Sequence, residues 1–255
     1  MNIYTVNDFN DLCSIIEKIN ESTIPCLSKR MITKPTLWYR GQANSEWDII
    51  PSVLRNDNKK SEQVLCHSFY HGATQIASNK ISKTSYNYWI TMMQHYGLPT
   101  RLLDWTYSPL VALFFALNDY DNTYKDFNAS ITIIIPELLN EKQKFDPYVY
   151  PIDSDSAIKL LAPAFNKSIP ISNRVLACFS TSNDLRMYTQ RAAFTIHDST
   201  KPLFEIYDDN YAYTIIIPNN RKDYFRKQLS FLGVKEEFLF PDLTHVAKHA
   251  IDRHL

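Results

Sequence analysis

The sequence predicts a mixed α+β fold, with a small mixed or antiparallel sheet surrounded by helices. Residues 130–135 (SITIII) and 211–217 (YAYTIII) are rich in β-branched residues, as buried strands are. Residues 7–20 and 221–232 carry apolar side chains at helical spacing. Helices and strands do not alternate as they would in a doubly wound parallel sheet, so the α+β class is favoured. No strong linker divides the 255 residues, and we expect one domain over residues 1–255.

Local end signals support the predicted helices. Ser61 and Ser108 are suited to cap helix N-termini, and Pro109 suits a first helical turn. Gly97 stands where a left-handed C-cap would end a helix. The predicted helices span residues 7–20, 62–78, 86–96, 108–118, 221–232 and part of 239–255.

Short apolar runs predict four strands, at residues 35–41, 130–135, 194–197 and 211–217. Residues 47–54 are expected to be irregular, because Pro51 cannot sit in a central strand. Residues 95–105 are expected to form a polar loop before a buried helix. Residues 141–173 are punctuated by prolines, and we expect a loop with little regular structure there.

Composition limits the classes of function. Lys+Arg and Asp+Glu both number 27, so no global field steers the protein to nucleic acid or to an anionic membrane. No apolar run approaches the roughly 18 residues that a membrane span needs, and the first residues show no secretory signal. Four cysteines without CxxC spacing indicate reduced thiols. We therefore expect a cytoplasmic protein without a membrane partner.

The segment LWYRGQ contains the first candidate site residue, Arg40. A guanidinium offers a planar fork that matches phosphate and carboxylate groups. Gly41 removes a side chain where a ligand or another backbone must approach. The structural alternative is that Arg40 pairs with a carboxylate such as Asp104.

The second candidate region is HYGLPTRLLDW, residues 95–105. A charged pair beside an apolar helix is costly unless it is matched, so Arg101 and Asp104 either lock the loop or face a ligand. The His95 imidazole can exchange a proton or donate to a ligand hydroxyl. Tyr96 and Trp105 offer rings on which a base could stack. The alternative for the whole loop is a helix cap and a charge clamp.

The third candidate region is RMYTQRAAFTIH, residues 186–197. Its Gln190 amide can both donate and accept hydrogen bonds, although an exposed polar turn would have the same composition. His67 and His71 have a spacing that can bind zinc, but no third ligand is evident, so we expect no metal site. Phosphate-binding glycine loops and the GxSxG motif are absent from the sequence.

These segments together resemble the FRG domain family of bacterial and phage-associated proteins. The family's Phe-Arg-Gly strand corresponds to Tyr39-Arg40-Gly41. The resemblance continues through Gln42 and WDIIPSVLR, is strongest in QHYGLPTRLLDWTYSPLVALFFA, and resumes in RMYTQRAAFTIHD and FLGVKEEFLFPDL. It spans roughly residues 36–250, with the helix of residues 7–20 packed on that core.

The order of the motifs is similar to that of ADP-ribosyltransferases, which have an early strand Arg, a helix of the A-x-x-F-A kind and a later third motif. This resemblance implies an ADP-ribosyltransferase-like fold that consumes NAD and modifies a protein or nucleic acid. An effector role as a toxin or in anti-phage defence is also implied. The implied catalytic residues are Arg40, His95 and Gln190, and the implied NAD-binding residues are Tyr39, Gly41, Gln42, Tyr96, Thr100, Arg101, Asp104 and Trp105.

Gln190 departs from this pattern, because the third motif usually carries a Glu. An amide can hydrogen-bond the ribose but has no charge with which to stabilise a cation. Either another acid, among Asp104, Asp198 and Glu205, takes that role, or the protein is a non-catalytic module that binds a nucleotide, RNA or another protein. A cleft that contains Arg40, Arg101, Gln190 and a carboxylate would favour the enzyme, whereas a flat basic aromatic face would favour nucleic-acid binding.

Overall fold

The computed structural model describes residues 2–29, 31, 34–55, 62–76, 81–119, 123–180, 185–207 and 209–254. The strands in these ranges are β1 (Asn2–Thr5), β2 (Trp38–Gln42), β3 (Leu102–Thr106), β4 (Ala129–Ile134), β5 (Tyr150–Pro151), β6 (Val175–Phe179), β7 (Ala192–His197) and β8 (Tyr213–Ile217). The helices are α1 (Phe9–Ser28), α2 (Glu62–Ile76), α3 (Tyr86–His95), α4 (Pro109–Leu117), α5 (Pro136–Lys142), α6 (Asp155–Leu161), α7 (Leu185–Thr189), α8 (Lys222–Phe231), α9 (Glu236–Leu239) and α10 (Leu243–His254).

All eight described strands belong to one mixed sheet, in the order β1-β8-β4-β2-β3-β7-β6-β5. The outer pairs β1–β8 and β5–β6 are parallel, and the inner pairs are antiparallel. The predicted α+β class is therefore confirmed. The strands that the SITIII and YAYTIII patterns predict are β4 and β8, and they lie side by side with Ile131 opposite Ile215.

The sheet is nearly divided between β2 and β3. Strand β2 pairs with β4 over five residues, and β3 pairs with β7 over five residues. Between β2 and β3, by contrast, the described residues give one partner pair, Tyr39 with Thr106. We call β1, β8, β4 and β2, with residues 43–55 that follow β2, the β2 half. We call β3, β7, β6 and β5, with α3 and residues 185–191 before β7, the β3 half. The two halves diverge beyond Tyr39 and leave a gap between their inner strands.

Helix α4 covers the β2 half and begins as the sequence predicts. The Ser108 hydroxyl accepts a hydrogen bond from the Val111 amide at 3.4 Å, and Pro109 occupies the first turn. A Cβ atom on Gly41 would lie 1.9 Å from the main-chain oxygen of Ala112, a residue with no exposed surface. Gly41 is therefore needed for the close approach of α4 to β2. Of the two groups that the sequence allowed to approach Gly41, a ligand or another backbone, the backbone of α4 is the one in contact.

The predicted loop of residues 95–105 is wrong in its second part, because Leu102–Thr106 forms strand β3. Leu103 and Trp105 are buried on one face, and Leu102 is buried on the other. Asp104 lies in the middle of this strand and is exposed. A charged residue inside a short apolar run hides the strand from a pattern search, since Asp is depleted in strands.

The expectation of an irregular loop over residues 141–173 is also wrong, because this segment contains α6 and β5. The Ser154 hydroxyl caps α6 by accepting a hydrogen bond from the Ala157 amide at 3.3 Å. Ala157, Leu160 and Leu161 then turn one apolar face toward the core. Two helical turns are too short for a clear periodic signal, which is why the helix was missed.

The remaining predicted helices are confirmed, with their ends at other residues than predicted. Helix α1 runs eight residues beyond the predicted 7–20, and Asp8 caps it through the Asp11 amide at 2.9 Å. The predicted cap at Ser61 lies outside the described residues. Cys13, Cys26, Cys66 and Cys178 are all free thiols. None of the helices in the described part of the chain combines the length and hydrophobicity needed to cross a bilayer.

Candidate functional site

A cleft of about 570 Å³ opens in the gap between the two half-sheets. This volume falls in the range of roughly 300–1,000 Å³ that is usual for small-molecule sites. The β2 half contributes Tyr39, Arg40, Gly41, Gln42, Trp47 and Arg55 to its walls. The β3 half contributes Gln94, His95, Asp104, Trp105, Arg186 and Gln190. The early arginine and the imidazole-to-indole segment therefore meet in one cavity.

Arg40 lies at the gap and spans it. Its Nη1 atom donates a hydrogen bond to the main-chain oxygen of Asp104 at 2.7 Å. Its Nε atom is buried and has no hydrogen-bond partner among the described residues. Burial lowers the pKa of Arg40 to about 10, Asp104 opposes this change, and Arg55 adds to it. A half-buried guanidinium with unused donors is suited to bind an anion.

The Asp104 carboxylate is oriented by Gln94, a residue that the sequence analysis did not select. The Gln94 side chain donates from Nε2 to Oδ2 of Asp104 at 2.8 Å. Its Oε1 atom accepts a short hydrogen bond from the buried Thr100 hydroxyl. Because Thr100 fixes the carbonyl end of the amide, the NH₂ end must face Asp104. Thr100 does not line the cleft itself, and its contribution reaches the cleft through Gln94.

Gln190 lines the cleft, but its amide is partly used by the fold. Its Nε2 atom donates to the main-chain oxygen of Leu239 at 3.0 Å. Its main-chain oxygen accepts a hydrogen bond from the Thr106 hydroxyl at 2.7 Å. Gln190 therefore ties the segment before β7 both to β3 and to the residues that end α9.

The aromatic residues of the predicted loop separate in the structure. Trp105 is buried in the cleft wall, and its indole nitrogen donates to the Thr195 hydroxyl at 2.9 Å. Tyr96 is 68% exposed and is not part of the cleft lining. His95 lines the cleft at the end of α3, with its ring centroid 5.0 Å from that of Tyr96. Trp105 therefore keeps a position in the site, whereas Tyr96 lies at its outside.

Arg101 lies away from the cleft and is 4% exposed. Its guanidinium binds both carboxylate oxygens of Glu62, at 2.9 and 2.7 Å, and donates to Asp198 at 2.8 Å. The two acids raise its pKa despite the opposing effect of burial. Arg101 thus joins α2 to the end of β7, and the Arg101–Asp104 pair that the sequence suggested does not form. This network also engages Asp198, which was one of the acids considered as a replacement for the third-motif Glu.

His197 is a buried polar residue that the sequence analysis did not single out. Its Nε2 atom lies 2.8 Å from the Thr195 hydroxyl, which also accepts from Trp105. Burial, followed by the positive charges of Arg40 and Arg101, lowers its pKa to about 3. The imidazole is therefore neutral and supports the wall of the cleft from behind.

Several cleft residues were missed because only the tertiary structure brings them there. Trp47 and Arg55 lie within WDIIPSVLR, which carries part of the family resemblance, but nothing in that segment locates a ligand. Gln94 directly precedes His95 in the sequence, and this position next to a candidate residue is the signal that could have identified it. Asp119 and Arg186 also line the cleft. Asp104 and Asp119 are the carboxylates in its described walls, and Glu205 is not among the lining residues.

The described residues contain no group of three or more His, Cys, Asp or Glu side chains arranged to hold a metal ion. Comparison with known proteins finds no match to the chain among curated proteins or solved structures. One family model does match, and it covers β2, the segment from Gln94 to Trp105, and α4. It stops before Arg186 and Gln190, so it covers less of the chain than the resemblance suggested. Over residues 35–125 the chain matches the family model of the FRG domain.

Proposed function

We propose that the cleft binds NAD or a closely related dinucleotide and transfers its ADP-ribose group to a macromolecule. The observation that carries the proposal is the placement of the Arg40 guanidinium and the Asp104 carboxylate in one cavity between the half-sheets. A dinucleotide requires a cationic group for its pyrophosphate. Breaking its nicotinamide–ribose bond requires a negative group near the carbon that becomes positive. The cleft offers both.

Phosphate recognition would come from the β2 half. The unused N–H groups of Arg40 are suited to bind a phosphate, because charge-assisted hydrogen bonds to phosphate are strong and directional. Arg55 lies close enough to lower the pKa of Arg40, so two cations lie near each other here. Gly41 presents no side chain beside these arginines.

Bond cleavage would occur on the β3 side. The bond between C1′ of the ribose and the nicotinamide nitrogen breaks, and its electron pair leaves with neutral nicotinamide. The Asp104 carboxylate stabilises the positive charge left on C1′ and the ring oxygen, which supplies the charge that Gln190 lacks. A nucleophile of the acceptor then bonds to C1′, and the His95 imidazole accepts its proton.

A binding module without turnover is the second candidate. It is favoured by the hydrogen bonds that already engage the polar groups of the β3 wall, from Gln94 to Asp104 and from Gln190 to Leu239. In that case the cleft would hold the same class of ligand, and the bound nucleotide would be the signal. The two candidates bind the same ligand, which the enzyme would cleave and the binding module would leave intact.

The test combines calorimetric titration of NAD with an assay of nicotinamide release in the presence of cell protein, DNA or RNA. Wild-type protein is expected to bind NAD and release nicotinamide. Asp104→Asn should retain binding and lose about 100-fold or more of the release rate. The matched control, Asp223→Asn, removes an exposed carboxylate on α8 and should have no effect. Binding without release would favour the binding module, and the absence of NAD binding would reject both candidates as stated.

A role as a toxin or anti-phage effector rests on the family resemblance, and the acceptor could be protein or nucleic acid. If the role is correct, expression in a bacterial host should arrest growth and deplete NAD or label one class of macromolecule. Expression of Asp104→Asn at the same level should not. Growth arrest by both proteins would show that the toxicity does not come from this chemistry.

A further inference from the structure

Two rings and a guanidinium on the β2 side of the cleft form a distinct corner. Trp47 and Tyr124 pack edge to face, with their ring centroids 4.6 Å apart and their planes at 81°. Both rings line the cleft and are half-buried, and Arg55 lines it beside them. We call Trp47, Tyr124 and Arg55 the aromatic corner. In an edge-to-face pair, the ring that contributes its edge keeps both faces uncovered by its partner, and both rings of this pair line the cleft.

The aromatic corner is held in place by a buried cation. Lys222 is 2% exposed, and its Nζ atom donates to the main-chain oxygens of Ala43 and Tyr124, at 3.0 and 2.7 Å. An ammonium is costly to bury unless its protons are hydrogen-bonded. The two carbonyls therefore fix the end of β2 relative to Tyr124 through one side chain of α8.

A carboxylate also fixes the corner, through the backbone next to Tyr124. Both oxygens of Asp119 are used, because they accept hydrogen bonds from the main-chain nitrogens of Thr123 at 3.1 Å and Tyr124 at 2.7 Å. Asp119 is thus engaged by the backbone that carries the Tyr124 ring. Its negative charge is partly satisfied there, which reduces its repulsion of an anionic ligand.

Arg55 supplies the anion-binding group of the corner. Its Nε atom donates to the main-chain oxygen of Ile50 at 3.1 Å, which orients the guanidinium. Among the described residues its terminal nitrogens have no hydrogen-bond partner, so they remain available to a ligand. The corner therefore combines a stacking surface with a cation, which is the combination that binds a nucleobase and its adjoining phosphate.

We propose that the aromatic corner is a nucleobase subsite, with Lys222 as its positioning residue. This inference deepens the proposed function and names which half of the ligand lies where. Asp104, which would act on the reacting ribose, belongs to the β3 wall, and the corner belongs to the β2 wall. The base at the corner is then that of the non-reacting half, which in NAD is adenine, and Arg55 binds the phosphate on its side.

The test measures the affinity of the full chain for AMP, ADP-ribose and nicotinamide mononucleotide by calorimetry. Trp47→Leu is expected to weaken AMP and ADP-ribose by about tenfold or more and to leave nicotinamide mononucleotide unchanged. Trp47→Phe keeps a ring and should restore most of the affinity. Phe231→Leu removes a ring that is 85% exposed outside the cleft lining and serves as the control.

Lys222→Met tests the positioning role in the same assay, at a temperature where circular dichroism shows that the variant is folded. A selective loss of AMP affinity, with nicotinamide mononucleotide unchanged, is expected. An equal loss for all ligands would indicate a general structural role and overturn the assignment of Lys222. Wild-type-like AMP affinity in the folded variant would overturn it as well.

The outcomes separate this inference from the proposed function. If wild-type protein binds AMP in a Trp47-dependent manner but neither binds nor cleaves NAD, the nucleobase subsite stands and the proposed function fails. If NAD is bound and cleaved while Trp47→Leu weakens every ligand equally or none, the subsite fails and the proposed function stands. If AMP and ADP-ribose do not bind at all, the subsite is rejected.

Discussion

Arg40 donates a hydrogen bond to the main-chain oxygen of Asp104 across a distance of 2.7 Å, at the place where the two halves of the sheet separate. These residues are 64 positions apart in the chain. The bond crosses the gap just beyond the Tyr39–Thr106 pair, where ladder pairing between β2 and β3 ends. One side chain thus links the two halves of the sheet and keeps its remaining donors for a ligand.

Arg40→Lys is expected to weaken the binding of NAD and ADP-ribose by about 10- to 100-fold, because a point charge cannot replace the two-pronged guanidinium. Calorimetric titration measures this change. Arg226→Lys on α8, where the arginine pairs with exposed Asp223, is the matched control and should bind as wild type does. Undiminished affinity in Arg40→Lys would remove Arg40 from the binding site.

Gly41→Ala is expected to lower the free energy of unfolding by about 1–3 kcal/mol or more, because the new Cβ would collide with the backbone of α4. Urea denaturation followed by circular dichroism gives this quantity. Gly72→Ala is the control, since a Cβ there meets nothing within 4 Å. As an Ala within α2, it should stabilise the protein by up to about 1 kcal/mol. Equal effects at the two sites would show that α4 can move away from β2 at little cost.

Arg101→Met is expected to destabilise the protein by about 3–5 kcal/mol, because it leaves Glu62 and Asp198 as buried charges without their partner. Urea denaturation measures the loss. Glu62→Gln is a milder second variant that keeps the shape of the network. If Arg101→Met or Glu62→Gln is folded, its affinity for nucleotides should equal that of wild type, since Arg101 lies outside the cleft lining. A clear loss of affinity in a folded variant would return Arg101 to the ligand-binding residues.

His197 is expected to make the fold sensitive to acid. Its pKa is lowered from 6.5 to about 3 in the folded protein, so between these values the unfolded chain binds more protons than the folded chain. Stability from this residue is therefore complete above pH 6.5 and decreases as the pH falls toward 3. His197→Gln cannot take up this proton. As the pH falls from 7 to 4, the unfolding free energy of wild type should decrease more than that of the variant. An equal decrease in both proteins would contradict the assignment.

Most of the helices could be predicted because their signals are local. Ser108 and Pro109 mark the start of α4, and the spacing of apolar residues marks α8, using information from neighbours a few positions away. Local patterns do not predict β3, where Asp104 interrupts the apolar run. Asp104 is exposed within an inner strand because the cleft lies beside it. Local patterns also do not predict α6, which is too short for a periodic signal.

The structure brings together most of the residues selected from the sequence, and their role as a functional site stays a prediction. Of the eleven residues selected, eight line one cleft: Tyr39, Arg40, Gly41, Gln42, His95, Asp104, Trp105 and Gln190. Arg101 and Thr100 were selected for the same chemical reasons, yet they lie in buried networks with Glu62 and Gln94. Residue type cannot separate these cases, because a guanidinium suits a buried acid as well as it suits a phosphate.

The sequence by itself determined the α+β class, the cap and buried face of α4, and the residue types from which a site could be built. These depend on periodicity and capping within a few residues. Only the tertiary structure decided that β2 and β3 separate, that Arg40 reaches Asp104, and that Lys222 of α8 holds Tyr124 at the wall of the cleft. Those contacts join segments separated by 64 and 98 positions, and their formation depends on how whole elements pack.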